Sequence, residues 1–177
     1  MTPAFVRSRL LIAGLGLVAS TGAFSACSLG GNTSLPPYTD PATQVYDTST
    51  KVVISAMTRF NAQLYTSDVT VGTGRTVAYG DSIAVFYTGR LAGGYRFGAT
   101  VRPAAPLTIA LDTASLIRGW TLGLPGMKVG GVRRLVIGPE NGYGYSTRTD
   151  DTRTIIIIPS NSVLVFDVEV TAATPKP

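Results

Sequence analysis

Short segments in which apolar and polar residues alternate recur along much of the chain. Ile83, Val85 and Tyr87, for example, fall on one side of such a segment. An alternation with a period of two is typical of a β-strand that buries one face. The pattern predicts strands at 64–71, 82–88, 95–100, 107–111, 132–137 and 163–170. We therefore predict an antiparallel sheet with one face in the core and the other in water.

One segment has a different period and predicts a helix. Ile117, Trp120 and Leu124 recur at helical spacing. Gly119 and Gly123 lie inside this segment, and a glycine in a helix interior costs about 1 kcal/mol relative to alanine. Because the helix is weak alone, we expect it to pack against the sheet. The predicted fold is an antiparallel sheet of about five strands curled around one short helix, with Trp120 between them.

Residues 51–64 fit two patterns. Val53, Met57 and Phe60 suit one face of a helix, whereas the run at 51–54 suits a strand. We favour an added edge strand at this end of the sheet.

The first 26 residues have the pattern of an export signal. Arg7 and Arg9 precede an apolar run at 10–19, and small residues follow the run. The run is about half as long as the ~20 residues that a membrane-spanning helix needs. We therefore predict a signal peptide at 1–26 that is removed on export.

The predicted signal peptide is followed by a cysteine in the sequence Phe24-Ser25-Ala26-Cys27, which resembles the bacterial lipobox. In that motif the cysteine receives a diacylglyceryl group and becomes the new N-terminus. A bulky apolar residue three positions earlier, here Phe24, suits the lipoprotein peptidase. We predict that Cys27 is lipidated and anchors the protein to a membrane. The alternative is a soluble secreted protein, cleaved near Ala23 or Ser25, in which Cys27 is a free thiol.

Residues 27–50 are predicted to form a flexible tether from the lipidated Cys27. They are rich in Ser, Thr, Gly, Pro and Asp and contain no Lys or Arg. Ser28 stands where a retention signal would carry aspartate, which favours the outer membrane of a cell envelope that has two membranes. In that location the protein would face the periplasm or the exterior. The rest of the chain is divided into a domain at 51–172, with its core at 61–172, and a tail at 173–177.

The composition of the chain excludes several kinds of catalytic and metal-binding site. The sequence contains no histidine, so serine and cysteine triads that use an imidazole are excluded. It contains one cysteine, Cys27, which leaves neither an intrachain disulfide nor a thiolate zinc site. The net charge of +5 arises from scattered residues rather than a basic stripe. We therefore expect no metal, no cofactor and no nucleic-acid partner.

Seven short motifs follow one another in the second half of the chain. They are Tyr87-Thr88-Gly89, Leu116-Ile117-Arg118-Gly119-Trp120, Gly126-Met127-Lys128-Val129-Gly130, Arg134-Leu135-Val136-Ile137, Gly142-Tyr143-Gly144, Ile157-Ile158-Pro159 and Leu164-Val165-Phe166-Asp167-Val168. By the number, order and spacing of these motifs, residues 61–172 resemble the FKBP-type peptidyl-prolyl cis/trans isomerase domain. The resemblance implies an α+β fold, a curled antiparallel half-barrel of five to six strands around one short helix. It also implies an enzyme that rotates X-Pro bonds in exported or unfolded proteins.

The resemblance further implies a pocket for the proline ring. Trp120 would form its floor, and the Tyr143 hydroxyl and the Ile157 backbone N–H would donate hydrogen bonds to the substrate. These three are the expected catalytic residues. The expected substrate-binding walls are Tyr87, Phe97, Leu107, Leu116, Ile117 and Phe166. Taken singly, Trp120, Ile117 and Phe166 also fit ordinary core residues.

The sequence departs from this family at three places. Gly98 follows the pocket phenylalanine where the family usually has an aspartate, which is expected to weaken macrolide-inhibitor binding. Leu107 replaces a common wall phenylalanine, and the charged loop 144–155 is longer than in compact members. The first two departures keep a second hypothesis open, in which the cleft belongs to a peptide-binding chaperone or adaptor without catalytic activity.

Overall fold

A seven-stranded antiparallel sheet curls around one short helix in the computed structural model, which describes residues 35–176. The strands of the sheet are β1 Thr58–Asn61, β2 Leu64–Thr70, β3 Ser82–Leu91, β4 Arg96–Thr100, β5 Leu107–Ala110, β6 Val132–Ile137 and β9 Leu164–Thr174. The helix, α1, spans Arg118–Gly123, and a separate hairpin consists of β7 Arg148–Thr149 and β8 Ile156–Ile158. The predicted fold class is confirmed, and the sheet has seven strands where the resemblance implies five to six.

The strand order is β1-β2-β6-β9-β3-β4, and β5 also pairs with β3. The two long strands, β3 and β9, pair over their whole length, from Ser82 opposite Thr174 to Leu91 opposite Leu164. Each therefore extends a few residues beyond the range that its own alternation predicts, because the partner strand satisfies the additional backbone groups.

The main core lies between α1 and the sheet face that the helix covers. Leu124 of the helix segment and Leu135, Leu164 and Val168 of the sheet are fully buried there. Gly119 permits this close approach, since a Cβ atom at that position would lie 2.5 Å from Cδ1 of Ile137. The glycine that weakens the helix in isolation is thus the residue that lets it dock on β6.

The opposite face of the sheet is covered where β2, β6 and β9 lie side by side, so the prediction that this face would be wet is wrong there. Tyr65, Val136 and Val165 form a cross-strand row on this face and are at most 7% exposed. The side chains that cover this row come from earlier in the chain and include Tyr46, Val52, Ile54 and Met57. Of the edge strand predicted within residues 51–64, only β1 forms. Apolar residues before β1 cover this face of the sheet instead.

Residues 36–50, the C-terminal part of the predicted tether, lie against the domain. The Asp47 N–H donates to the Ala92 carbonyl at 2.9 Å, and the Tyr46 hydroxyl donates to the Pro41 carbonyl at 2.7 Å. Thr50 is 1% exposed. Any part of the predicted tether that is free of the domain therefore ends before Pro36.

Arg133 and Arg134 are mostly buried side chains of a strand inside the sheet. Strand β6 lies between β2 and β9, and the two side chains are 14% and 13% exposed. Each makes a bidentate ion pair, Arg133 with Asp68 and Arg134 with Asp167. Arg134 also donates to the Lys51 carbonyl at 2.6 Å, which ties the N-terminal cover to the sheet.

The predicted signal peptide and Cys27 lie outside the described residues. Within residues 35–176, no helix has the length and apolar character needed to cross a membrane.

Candidate functional site

A cavity of about 850 Å³ opens beside the start of α1. All nine residues that the sequence singles out for the pocket line this cavity: Tyr87, Phe97, Leu107, Leu116, Ile117, Trp120, Tyr143, Ile157 and Phe166. They come from seven separate parts of the chain, so the fold brings them together. Their roles toward a substrate remain predictions.

The floor of the cavity is a cluster of aromatic rings. The Trp120 side chain is buried, and the rings of Tyr87 and Phe166 meet it edge to face at centroid distances of 5.5 and 5.4 Å. Phe97 meets Phe166 in the same way at 5.4 Å. Edge-to-face contacts are favoured by the charge distribution of aromatic rings and fix their orientation. The floor is therefore a rigid apolar surface.

The fold supplies each ring of this floor from a different element. Trp120 projects from α1, whose close approach to β6 depends on Gly119. Phe166 lies on β9 directly opposite Gly89 of β3. A Cβ atom at Gly89 would lie 2.6 Å from the Phe97 ring, so a glycine is required there for the aromatic cluster to close.

Tyr143 stands on the rim with its ring half-buried. Burial raises the pKa of its hydroxyl, and the nearby positive charge of Arg148 only partly offsets this effect. The hydroxyl therefore remains protonated at neutral pH and can donate a hydrogen bond into the cavity.

The loop that carries Tyr143 is braced by the N-terminal segment. Asn161 donates its backbone N–H to the Gly144 carbonyl at 2.8 Å. The Asn161 side-chain oxygen accepts from the Thr39 N–H at 3.0 Å, and Tyr38 stacks on Tyr145 at 4.8 Å. The last two contacts join residues more than a hundred positions apart, and no local sequence pattern could have revealed them.

The long charged loop forms the β7–β8 hairpin at the side of the cavity. Its turn is closed by the Asp150 carboxylate, which accepts backbone N–H groups of Thr154 and Ile155 at 2.9 and 2.8 Å. The hairpin places both Ile157 and Arg148 in the cavity wall. The guanidinium carbon of Arg148 lies 4.5 Å from the centre of the Tyr143 ring, a cation–π contact.

Several lining residues were not singled out from the sequence. They are Ala114, Ser115, Arg118, Gly142 and Ile158, together with Gly98, which the sequence marks only as a departure, and Arg148, which it marks only as part of the charged loop 144–155. The length and charge of the loop 144–155 was the one available signal for Arg148. Gly98 lies where a Cβ atom would come no closer than 3.6 Å to the Tyr87 hydroxyl, so the position has room for a side chain.

Comparisons with known proteins find related sequences and a related fold. The model of the family described as FKBP-type peptidyl-prolyl cis-trans isomerase matches residues 73–171. An FK506-binding protein of Neisseria meningitidis serogroup B is 38% identical over 106 residues, which cover 60% of this chain and 92% of that protein. FK506-binding protein 4 of Chaetomium thermophilum is 43% identical over 102 residues, which cover 58% of this chain. The match spans only 20% of that relative's length.

The structure of FkpA from Escherichia coli is similar to this fold. It superimposes with a TM-score of 0.58 and 36% sequence identity, and the match covers 68% of this chain and 53% of that one.

Proposed function

The chain belongs to the FKBP-type peptidyl-prolyl cis-trans isomerase family, and we propose that its aromatic pocket catalyses rotation about X-Pro bonds in peptide segments of other proteins. The observation that carries the proposal is the buried Trp120 indole, enclosed edge-on by Tyr87 and Phe166. A proline ring is flat and apolar enough to lie on such a floor, and the cavity above it is large enough for the adjoining residues.

Catalysis by this pocket needs no proton transfer. Amide resonance opposes rotation of the X-Pro bond with a barrier of ~18–20 kcal/mol. In the twisted state the bond loses conjugation and the amide dipole falls, so a dry apolar site disfavours the planar amide more than the twisted one. Contacts made by the proline ring and its neighbours can then stabilise the twisted form.

Two donors can hold the substrate during the rotation. Burial raises the pKa of the Tyr143 hydroxyl, which is protonated at neutral pH and lies on the rim of the cavity. We assign the second donor to the backbone N–H of Ile157 on β8, on the hairpin side of the cavity. One neutral hydrogen bond contributes about 0.5–1.5 kcal/mol, so these donors orient the substrate while the apolar floor supplies most of the effect.

The proposed role in folding can be tested with a protein whose refolding is limited by proline isomerisation. Substoichiometric amounts of this protein are expected to accelerate the slow refolding phase, which uncatalysed takes tens to hundreds of seconds. Acceleration that requires a stoichiometric amount, or none at all, would instead favour the alternative function of a non-catalytic chaperone or adaptor. Gly98 and Leu107 are the residues that favour that alternative.

Gly98→Asp is expected to raise isomerase kcat/KM by up to about tenfold. The position has room beside the Tyr87 hydroxyl, and a carboxylate there would accept a charge-assisted hydrogen bond and orient that ring. Affinity for a macrolide inhibitor should rise in parallel. The measurement is the cis/trans exchange rate of a proline peptide, with Gly98→Ala as the matched control. A rate for Gly98→Asp no higher than that for Gly98→Ala would contradict this role for the missing carboxylate.

We further propose that the protein acts in the cell envelope as a lipoprotein. Arg7 and Arg9 before an apolar run, and Phe24 three residues before Cys27, support an export signal followed by lipidation. The substrates would then be exported proteins that fold near the membrane surface. The diacylglyceryl group carries two acyl chains. Two chains make the anchoring durable, since each buried CH₂ adds about 0.8 kcal/mol.

Cys27→Ser is expected to move the protein from the membrane fraction to the soluble fraction of its native host. The thioether to the diacylglyceryl group cannot form on serine, while the isomerase domain is unchanged. Fractionation followed by immunoblotting measures the distribution, and Ser28→Ala is the matched control. Retention of the Cys27→Ser protein on the membrane would contradict the anchor.

A further inference from the structure

The charges that line the cavity have one sign. Arg118 and Arg148 are the charged side chains among its lining residues, and no carboxylate lies among them. Both arginine side chains are exposed. The ion pairs formed within residues 35–176 involve other arginines, so no carboxylate lies within 4.0 Å of either guanidinium in the described part of the chain.

Arg148 is held at the position where it would meet a bound peptide. Its guanidinium stacks on Tyr143, the predicted donor to the substrate, and its backbone is paired with Ile158 across the hairpin. A guanidinium that stacks through its face keeps its N–H groups free at the edge, and these suit a carboxylate. The stacking partner therefore orients the cation without neutralising it.

Arg118 supplies a second positive charge from a different wall. It is the first residue of α1, two positions before the Trp120 floor. Gly98 stands where the family usually has an aspartate. The residues that line the cavity therefore include no acidic group that offsets the positive charge of the two arginines. The departure at Gly98 thus changes the charge of the cavity as well as its hydrogen bonding.

We propose that this pocket selects proline segments that carry an acidic residue directly before the proline, with Arg148 as the principal contact and Arg118 as a secondary one. The inference rests on the isomerase function proposed above and adds the class of substrate. Exposed ion pairs are individually weak, and each is expected to change kcat/KM by about two- to fivefold. A glutamate peptide should therefore be isomerised faster than its glutamine counterpart, and a lysine peptide more slowly.

The test uses tetrapeptides that differ only in Glu, Gln or Lys before the proline. Cis/trans exchange is measured by NMR, which avoids the sequence preference of a coupling protease. The expected order of kcat/KM is Glu, then Gln, then Lys, and the differences should shrink in about 0.5 M salt because mobile ions screen exposed charges. The same order without a salt effect would overturn the electrostatic assignment.

Variants identify the residue responsible. Arg148→Gln should bring the Glu-to-Gln ratio close to one, Arg148→Lys should retain most of the preference, and Arg148→Glu should reverse it. Arg153→Gln removes a charge from the same hairpin but outside the cavity wall, and should leave the ratio unchanged. Circular dichroism spectra establish that each variant is folded.

The outcomes separate the two proposals. Equal rates for the Glu, Gln and Lys peptides, with clear acceleration of all three, would overturn the acidic preference and leave the isomerase function intact. A preference that persists in Arg148→Glu would also overturn the assignment. No acceleration of any peptide by the folded protein would overturn the isomerase function, and the acidic preference with it.

Discussion

Trp120→Leu is expected to lower kcat/KM for X-Pro isomerisation by at least about tenfold, which corresponds to ~1.4 kcal/mol of lost transition-state stabilisation. Leucine keeps the position apolar but removes the flat surface against which the Tyr87 and Phe166 rings are set. The floor would then be uneven, and the proline ring would lose its largest contact. Leucine is preferred to alanine because Trp→Ala in a core typically destabilises a protein by about 3–5 kcal/mol.

The measurement is kcat/KM from the exchange rate of a proline peptide, made at a temperature where urea denaturation shows the variant to be folded. Leu122→Ala is the matched control, since Leu122 is on the same helix and packs on the core without lining the cavity. That variant should lose stability and keep its activity. An unchanged rate in folded Trp120→Leu would contradict the role of the indole as the floor.

Gly119→Ala is expected to destabilise the domain by about 1–3 kcal/mol, although alanine normally favours a helix. The added Cβ atom would lie 2.5 Å from Cδ1 and 2.6 Å from Cγ2 of Ile137. Ile137 is fully buried, so its side chain has little room to move away. The helix would be pushed from the sheet, and Trp120 would be displaced with it. Isomerase activity should therefore fall together with stability.

Equilibrium urea denaturation measures the stability change. Gly93→Ala is the matched control, because a Cβ atom at Gly93 would meet no atom within 4 Å. The double variant Gly119→Ala with Ile137→Ala should be more stable than the sum of the two single changes predicts, since the clash is removed with the isoleucine. Strict additivity of the two changes would contradict the steric explanation.

The sequence predicts those strands well in which apolar and polar residues alternate within the strand itself. Alternation along 82–88 and 163–170 identified the two central long strands, and the spacing around Trp120 identified the helix. Each segment has a strong period of its own, so pairing with its neighbours changed only its ends. The order of the motifs, through the resemblance, named the nine residues that the fold brings to one cavity.

The parts that could not be predicted depend on contacts between distant segments. The environment of Arg134 could not be predicted, because the sequence does not show that β6 lies between two strands or that Asp167 faces it. The cover of the outer face has the same origin, since Val52 and Ile54 fit a strand equally well in isolation. Arg148 lies in a loop that forms a hairpin, and the Asp150 carboxylate closes the turn of that hairpin. No sequence motif predicts this turn.

NMR exchange spectroscopy on a proline tetrapeptide measures whether the Trp120 pocket accelerates rotation about X-Pro bonds. Catalytic amounts of the protein are expected to raise the cis/trans exchange rate above the uncatalysed rate, in proportion to protein concentration. Trp120→Leu at equal concentration should give at most about one tenth of that increase. If the exchange rate stays at the uncatalysed value while the protein is shown to be folded, the Trp120 pocket does not catalyse rotation about X-Pro bonds.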